Sequence, residues 1–561
     1  MAAPALMNGP LEPIPNWTDD EKPSMPGSPS TPKHSSPIRA AYIAIAFLLG
    51  ITGGLGNALV SANLQNIQGS LGLTPVEAAW LPAAYLMVNI STSLILFKFR
   101  QQFGLRLFAE IGLPMYVAAT ILHLFADSYA TALLARAVSG FAGATISTLA
   151  IFYTLQAFPK ARLGQGLVIG LGISQLATPL AWLLSPALLD LGEWRTLYFF
   201  ESGLALCCLA AVVSLKLPPG IRIKVFEGRD FLTFALLAPA LALIVAVLAQ
   251  GRTQWWTAQP WMAGALIAAV VLLVAAVLVE HHRANPLIQT HWLGTASTIR
   301  FAIGAMGIRF LLSEQTYGAT GLLRTLGMGP DQVQPLYAVM LIGLVVGIGT
   351  SALTFNQKSV IPQILSSVVL IAIGSFLDWN ATSLTRPHDM FLSQFLISTA
   401  AGLFMGPLLL VGVMSALKKG PNYIVSFAVL FGVSQSIGGL AGPAIFGTFQ
   451  QFREHEYSAT INAGIDPTNP VVAQRLQIQG QVYGRVIADP VLRQTQGTAL
   501  LAQTATREAN VRAYNDVFLL NGILTLLLLS WSLFNVLRLV IQAKTNPPVA
   551  TGPASGAAAP I

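Results

Sequence analysis

Apolar stretches of about 20 residues recur fourteen times along this chain. Each is long enough to cross the hydrocarbon core of a bilayer, roughly 30 Å thick, as an α-helix with a rise of about 1.5 Å per residue. Only 10% of the residues are charged and the mean hydropathy is +0.64, whereas a soluble protein carries about 25% charged residues. The pattern predicts an all-α polytopic membrane protein with fourteen transmembrane helices.

The predicted helices leave two tails and one long loop. Residues 1–38 are rich in Pro and Ser, and residues 546–561 in Pro, Gly and Ala, so both are expected to be disordered cytoplasmic tails. The first apolar stretch has no cleavage motif, so no signal peptide is expected. Loop 450–515 is much longer than a usual connection, which predicts a structure of its own or a partner, with a flexible solvated excursion as the alternative. The spans are predicted at 41–64, 77–97, 107–126, 131–152, 166–186, 196–217, 231–250, 261–280, 301–324, 336–355, 360–377, 390–417, 423–449 and 517–537.

Positive charge is distributed unevenly between the two sets of loops. With the N-terminus in the cytoplasm, the inner loops and the C-terminal end hold sixteen Lys and Arg residues, and the short outer loops hold four. Because cytoplasmic loops of membrane proteins are enriched in Lys and Arg, both ends are predicted to be cytoplasmic. The formal charge of +8 therefore lies in loops and forms no basic face for nucleic acid.

A short repeat relates the fifth and thirteenth predicted spans. Gly172-Ile173-Ser174-Gln175 and Gly432-Val433-Ser434-Gln435 lie 260 residues apart, and each follows a basic inner loop. The repeat predicts two related six-helix bundles, at 39–218 and 300–545, separated by a two-helix insert at 219–299. Parallel repeats of this kind build the major facilitator fold, in which substrate binds between two halves that rock.

Several local motifs resemble the fourteen-span drug:proton antiporters of the major facilitator superfamily, the EmrB/QacA type. Residues 507–518, which lead into the last span, follow a Gln-rich loop containing Asn469-Pro470, as in EmrB-like members. Arg136-Ala137-Val138-Ser139-Gly140 is similar to the family's Arg-x-x-Gln-Gly pattern, with Ser139 in place of Gln. Residues that match or approach the antiporter Gly/Pro motif are Gly172 and Pro179 in span five, and Gly438, Gly439, Gly442 and Pro443 in span thirteen.

Two departures mark the chain as a diverged Gram-negative EmrB-like member. The first span reads Leu55-Gly56-Asn57-Ala58 where the family usually has an Asp, so proton coupling cannot be transferred from that position. The loop after the second span keeps Gly104 and Arg106 of the gating pattern but has Arg100 where an Asp is expected. The contacts of this gating loop are therefore expected to differ from those of the family.

Three carboxylates lie inside the predicted spans, away from their end residues. A proton-coupled transporter needs a carboxyl that is dry in one state and wet in another, because loss of water favours the protonated form. Glu314 is the first candidate because it is the deepest. A charge at mid-membrane costs at least about 2.5 kcal/mol, so it usually faces a water-filled cavity or a partner. The alternative for Glu314 is a buried ion pair that only locks helices together. Glu201 lies near the depth of Arg136, with which it is expected to pair as a relay or a lock, and Glu110 lies near the inner end of span three. Arg309, on a largely different helix face from Glu314, is a candidate to meet an anionic substrate.

Polar residues within four spans could face a substrate, and the alternative for each is a structural hydrogen bond between helices. They are Asn57, Asn63, Tyr85, Asn89, Gln175 and Gln435. The histidines form no i, i+4 pair with a carboxylate partner, and no phosphate loop or nucleophile elbow is present, so no metal, no cofactor and no enzymatic activity are expected.

The resemblance implies a secondary active transporter that exports small hydrophobic or aromatic compounds or drugs in exchange for protons, by alternating access. It also implies a periplasmic membrane-fusion adaptor and an outer-membrane channel as partners, docked through loop 450–515. The alternatives are an uptake symporter or facilitator with the same fold, and a membrane scaffold or receptor that does not transport. The intramembrane charges and the two-half organisation weigh against the scaffold.

Overall fold

The computed structural model describes residues 11, 13, 15–18, 20–23, 26–190, 193–283, 286–420, 423–466 and 468–545. The regular elements within these ranges are helices, with one isolated bridge between Pro29 and Gly220. Thirteen of these helices are long and apolar enough to cross a membrane. The second has 50 residues and turns at Gly104, whose φ of 83° lies in the region that favours glycine, so it makes two passes. The result is fourteen passes, and the predicted all-α membrane fold is confirmed.

The long helices, including one in the loop 450–515, are numbered in chain order. They are α1 Ser36–Ala62, α2 Pro75–Leu124, α3 Tyr129–Gln156, α4 Lys160–Asp190, α5 Arg195–Ser214, α6 Gly228–Gln254, α7 Pro260–His281, α8 Ala296–Thr325, α9 Pro330–Leu353, α10 Val360–Asp378, α11 Pro387–Leu417, α12 Tyr423–Ala463, α13 Pro470–Gln481 and α14 Pro490–Thr545. The Lys- and Arg-rich loops lie on one side of the bundle, here called the basic face. Loop 450–515 lies on the other, the loop face.

The two halves repeat one close helix contact. In the first half, a β-carbon at Gly54 of α1 would collide with Ala177 of α4. In the second half, a β-carbon at Gly442 of α12 would collide with Ser313 of α8. Small residues let membrane helices approach until their backbones touch. The first and fifth passes of each half are therefore joined in the same way, as a repeated six-helix unit requires.

The two-helix insert, α6 and α7, is fastened to the first half by a buried charge network at the basic face. Lys98 Nζ lies 2.8 Å from Asp230 Oδ2, and Arg283 lies 2.9 Å from Asp230 Oδ1 and 2.5 Å from Glu280 Oε1. Asp230 is fully buried. Two cations contact Asp230 and one contacts Glu280, and these pairs offset part of the cost of removing the charges from water. The network was not predicted, because Lys98 and Asp230 are far apart in sequence.

At the loop face the insert forms hydrogen bonds with both halves. Gln250 Nε2 donates to the Val76 carbonyl of α2 at 3.1 Å, and Trp256 Nε1 donates to Thr448 Oγ1 of α12 at 2.7 Å. Each bond satisfies a polar group in an otherwise apolar contact. The turn between α6 and α7 therefore bridges the two bundles.

Loop 450–515 is largely helical. α12 continues past the predicted span to Ala463, α13 follows, and α14 begins at Pro490. Arg453 Nε lies 2.6 Å from Asp516 Oδ2, and the Tyr457 hydroxyl donates to the same carboxylate at 3.0 Å. These bonds join the extension of α12 to α14, so the loop has the structure of its own that its length predicts.

The N-terminal segment lies against the linker before the insert. Gly27 N donates to the Ile221 carbonyl at 3.1 Å, Ser30 N donates to the Pro219 carbonyl at 3.0 Å, and α1 begins at Ser36. The predicted disordered tail, 1–38, is therefore too long at its C-terminal end, where α1 begins at Ser36, and Leu11 N also donates to the Arg222 carbonyl at 3.0 Å. Residues 1–10 and the predicted tail 546–561 lie outside the described residues.

We predict that Asp230→Asn destabilises the protein strongly. Removing one member of a buried charge network leaves Lys98 and Arg283 partly uncompensated, at a cost of about 3–5 kcal/mol. Thermal unfolding in detergent should show a clear fall in melting temperature. Glu110→Gln is the matched control, because Glu110 forms an exposed pair with Arg106, and such pairs contribute only about 0.3–0.5 kcal/mol. Equal melting temperatures for both variants would show that the network does not anchor the insert.

Candidate functional site

Glu314 occupies an irregular turn of α8 in the second half. A π-helical segment runs over Glu314–Ala319 within the otherwise α-helical pass, and such segments are rare and frequent at functional sites. The side chain is fully buried. At about 1.5 Å per residue it lies roughly 27 Å along the helix from Ala296, in the part of the membrane nearer the loop face.

A second carboxyl that the sequence analysis missed lies against Glu314. Asp378 ends α10 and is 4% exposed, and its carboxyl shares one hydrogen-bond donor, Gln394 Nε2, with the Glu314 carboxyl. Gln394 Nε2 of α11 donates to Asp378 Oδ2 at 2.8 Å and to Glu314 Oε1 at 3.2 Å. The predicted span stopped at residue 377, so Asp378 was assigned to a loop. The sequence signal that could have identified Asp378 was a carboxylate directly after an apolar stretch.

The orientation of the bridging amide is set by a further chain of bonds. Gln315 Nε2 donates to Gln394 Oε1 at 3.3 Å and to Ser398 Oγ at 2.7 Å. The Gln394 oxygen is thereby used as an acceptor, which leaves its N–H groups for the two carboxyls. Three helices, α8, α10 and α11, meet at this point.

The carboxyl pair has no counter-cation. Over the described ranges, no Lys, Arg or His forms an ion pair with Glu314 or Asp378. Two adjacent buried carboxylates repel each other, and without a cation they cannot both be charged at low cost. One proton on the pair removes the repulsion and supplies the missing O–H donor between the two groups. The arrangement is chemically suited to taking up and releasing a proton, and the predicted ion-pair lock at Glu314 is absent from the described contacts.

Glu201 and Arg136 form the corresponding buried cluster in the first half. Arg136 donates to the Gly56 carbonyl at 2.7 Å and to Asn57 Oδ1 at 2.6 Å, and lies over the Tyr85 ring at 4.6 Å. Glu201 Oε1 accepts from the Tyr116 hydroxyl at 2.7 Å, and its Oε2 has no partner in the described part of the chain. The expected Arg136–Glu201 ion pair does not form in the structure, because the guanidinium binds backbone and amide oxygens instead.

Most of the predicted cavity residues form hydrogen bonds between helices. Asn63 Nδ2 donates to Ser185 Oγ at 2.7 Å, and Asn89 Nδ2 donates to the Gly140 carbonyl at 3.0 Å. Tyr85 packs under Arg136, and Asn57 accepts from it. The two glutamines of the repeat differ: Gln175 Nε2 and Gln435 Oε1 are buried, and neither has a partner among the described atoms. These two amides retain unused hydrogen-bonding capacity.

Arg309 and the glycine motif of α12 lie together. A β-carbon at Gly438 would lie 3.1 Å from Arg309 Cβ, and one at Gly439 would lie 3.2 Å from Arg309 Nε. The Arg309 side chain therefore runs along Gly438 and Gly439 of α12. Gly442 and Pro443 of the same motif follow further along that helix. In α4, Gly172 packs on Ile348 of the other half, and Pro179 is buried in the same helix.

The gating loop is held by the linker that follows α5. Ile223 N donates to the Gln101 carbonyl at 3.0 Å, and Phe226 N donates to Gln102 Oε1 at 2.9 Å. Arg100, which replaces the expected Asp, is buried between the rings of Phe97 and Phe152 at 4.6 and 4.4 Å. Arg106 bonds only the exposed Glu110 at 2.8 Å among its described contacts, so Glu110 is separate from both buried clusters.

Contacts between the halves follow α4 and α9 from one face to the other. Near the loop face, Trp182 stacks on Tyr337 at 4.6 Å, and Gln334 Nε2 donates to the Leu183 carbonyl at 3.0 Å. Near the basic face, a β-carbon at Gly164 would collide with Phe355. The halves are therefore in contact at both ends of this interface. Within the described residues, no group of three or more His, Cys, Asp or Glu could hold a metal ion.

Comparisons with known proteins agree with this architecture. The model of the Major Facilitator Superfamily matches residues 46–443. Multidrug export protein EmrB of Haemophilus influenzae is 22% identical over 85% of this chain and 92% of its own. Drug efflux pump JefA of Mycobacterium tuberculosis is 23% identical over 70% of this chain and 76% of its own.

Two solved structures show the same fold at low sequence identity. The human organic anion transporter MFSD10 has a TM-score of 0.52 at 13% identity and covers 87% of this chain and 99% of its own. The tetrameric protein PepTSo2 has a TM-score of 0.54 at 12% identity and covers 90% and 99%. At such identities the likeness concerns the fold alone.

We predict that Glu314→Gln and Asp378→Asn each raise the melting temperature at alkaline pH. Either substitution removes one of two adjacent buried like charges and supplies an N–H donor to the other, and such a replacement contributes about 1–3 kcal/mol. The gain should be smaller at acid pH, because acid protonates the wild-type pair. The double variant should gain less than the sum of the single variants, since the two groups are in contact. Additive effects would contradict the contact.

Proposed function

The chain belongs to the Major Facilitator Superfamily, and on this premise we propose that it exports small hydrophobic or aromatic organic compounds in exchange for protons. The family consists of membrane transporters that handle small molecules and are not enzymes. Export is supported by the relatives named as a multidrug export protein and a drug efflux pump. Proton coupling is supported chiefly by one observation: the buried carboxyls of Glu314 and Asp378 share the Gln394 amide, with no counter-cation among the described residues.

The carboxyl pair can link protonation to movement of the second half. Gln394 connects it to α11, while Glu314 lies on α8, whose other side packs on the glycines of α12. A proton on the pair removes repulsion between α8 and α10, and its loss restores that repulsion. The packing of these helices therefore differs between the two protonation states, which is the differential interaction that a conformational switch requires.

The first half supplies a second candidate coupling group. Glu201 is buried, and one of its oxygens has no described partner, so a charge on it would be poorly compensated. Arg136 fixes the helices around it through Gly56 and Asn57. We assign Glu201 a supporting role behind Glu314, because it has no second carboxyl with which to share a proton.

The proposed location is the inner membrane of a bacterial cell, with both ends in the cytoplasm. The basic face then corresponds to the cytoplasmic side, which the distribution of Lys and Arg favours. The carboxyl pair lies nearer the opposite, periplasmic side, where an inward proton gradient would load it.

Loop 450–515 is the proposed contact for a periplasmic membrane-fusion adaptor that leads to an outer-membrane channel. The helical loop exposes several apolar side chains, and exposed apolar patches commonly mark interaction surfaces. They include Val471, Ile478, Val482, Val486 and Val491. α13 packs closely on α14, since a β-carbon at Gly497 would lie 2.7 Å from the Leu476 carbonyl oxygen. The packed helices would present these side chains in one arrangement.

Transport in proteoliposomes tests the proton coupling. We predict that Glu314→Gln loses accumulation driven by a pH gradient by about tenfold or more, the change that roughly 1.4 kcal/mol brings. Exchange of substrate across the membrane without a gradient should survive, because it requires no net proton movement. Glu201→Gln should show a smaller loss, and Glu110→Gln should behave as wild type.

Three results would contradict the proposal. Full proton-driven transport in both Glu314→Gln and Glu201→Gln would refute the assigned carboxyls. Accumulation driven by the opposite gradient would indicate an uptake symporter. Absence of substrate-dependent proton flux in the wild type would indicate a protein that does not transport by proton exchange.

The adaptor contact has its own test. We predict that Val486→Asp combined with Val471→Asp abolishes co-purification of a membrane-fusion adaptor, because burying each new charge in an apolar interface is costly. Transport in proteoliposomes should be unchanged, since no adaptor is needed there. Val486→Leu combined with Val471→Leu is the matched control. Undiminished co-purification with both aspartates would place the contact elsewhere.

A further inference from the structure

Arg309 carries a guanidinium group without a protein partner in the middle of a transmembrane helix. It lies in α8, about 20 Å from Ala296 at roughly 1.5 Å per residue. It makes no hydrogen bond or ion pair with any residue that the structure describes. A guanidinium has five N–H donors and stays charged, and a charge at membrane depth usually faces a partner or a water-filled cavity. Arg309 is partly exposed, so its donors remain accessible to a ligand.

The other arginines at comparable depth or burial are accounted for by their contacts. Arg136 binds two oxygens of α1, and Arg100 lies between two aromatic rings. Arg252 donates to the Tyr317 hydroxyl at 3.2 Å, and Arg324 lies over Trp182 at 4.7 Å. Arg309 therefore differs from these four in having no described group that offsets its charge.

The surroundings of Arg309 combine an apolar wall and a free acceptor. Gly438 and Gly439 leave the side chain on a surface without β-carbons. Gln435, one turn before Gly439 in α12, donates to the Ala305 carbonyl at 3.3 Å, while its Oε1 is buried and has no described partner. The nearby apolar cluster joins both halves, with Leu176 of α4 and with Ala305, Ile308 and Leu312 of α8.

We propose that Arg309 binds the anionic group of the transported compound, so that organic acids with an apolar body are substrates. A carboxylate or sulfonate satisfies the guanidinium fork with paired charge-assisted hydrogen bonds. The apolar cluster that includes Leu176 and Ile308 contacts the ring or chain of such a compound, and Gln435 Oε1 accepts from a hydroxyl or N–H group next to the acid. This inference rests on the proposed transport function and narrows its substrate class.

The position of Arg309 fits proton-driven export of an anion. It lies five residues before Glu314 on a largely different face of α8, so the anion and the proton occupy separate sites on one helix. A membrane potential that is negative inside also favours outward movement of an anion. Both components of the proton gradient then act in the same direction.

Three compounds with the same ring test the inference. Transport of 1-naphthoate, the neutral 1-naphthylmethanol and the cationic 1-naphthylmethylammonium is measured in proteoliposomes containing the full chain. Wild type should transport the anion. Arg309→Gln should reduce the ratio of anion to neutral transport by about tenfold or more, since a paired charge-assisted contact is lost. Arg309→Lys should retain part of it, because it keeps the charge without the planar fork.

The control is Arg512→Gln, which removes a cation from an exposed pair with Glu508 and should leave all ratios unchanged. Melting temperatures establish that each variant is folded, and if Arg309→Gln does not fold, the ratio for Arg309→Lys decides. Proton-coupled transport of the neutral and cationic compounds without the anion would overturn this inference and leave the proposed function intact. An unchanged ratio in the Arg309 variants would also overturn it, as would equal loss of all three compounds.

Discussion

The cost of placing a charged group out of water governs the organisation of this structure. Lys98, Arg283 and Asp230 offset one another where the insert meets the first half, and Arg136 obtains backbone and amide oxygens in place of a carboxylate. Glu314 and Asp378 share an amide and have no cation partner in the described part of the chain. The groups whose charge is compensated hold helices together, and those whose charge is not compensated are the ones suited to binding a mobile ion or a substrate.

The second feature that organises the structure is the close packing of small residues. It provides surfaces on which helices can shift against each other. Gly54 against Ala177 and Gly442 against Ser313 bring helix backbones together in both halves without long interlocking side chains. Such contacts depend on shape more than on specific bonds. A change of charge at Glu314, one residue beyond Ser313, therefore acts at a contact where the described hydrogen bonds between α8 and α12 are few. Gln435 donates to the Ala305 carbonyl, and the Tyr317 hydroxyl donates to Gln450 Oε1.

The sequence was sufficient for the features that depend on local composition. Hydropathy predicted the fourteen passes, and the Gly172 and Gly432 tetrapeptides indicated two related halves. Glu314 was identified because a charged residue within an apolar stretch can be recognised from the sequence alone. Partnerships in space were not predictable: Asp378 lies 64 residues after Glu314 and one residue past the predicted span, and Gln394 is 80 residues away. The expected Arg136–Glu201 pair failed for the same reason, since nothing local shows that Gly56 and Asn57 offer closer acceptors.

Two membrane helices continue without a break into the region beyond the loop face. α12 extends to Ala463, and α14 runs unbroken from Pro490 to Thr545. A continuous helix is stiff, so a change of angle within the bilayer is transmitted to its far end. Over the outer 25 or so residues of α14, about 38 Å long, a tilt of about 10° moves the tip by roughly 6 Å. The two helices act as levers, and a protein seated on their tips would sense each transport cycle mechanically.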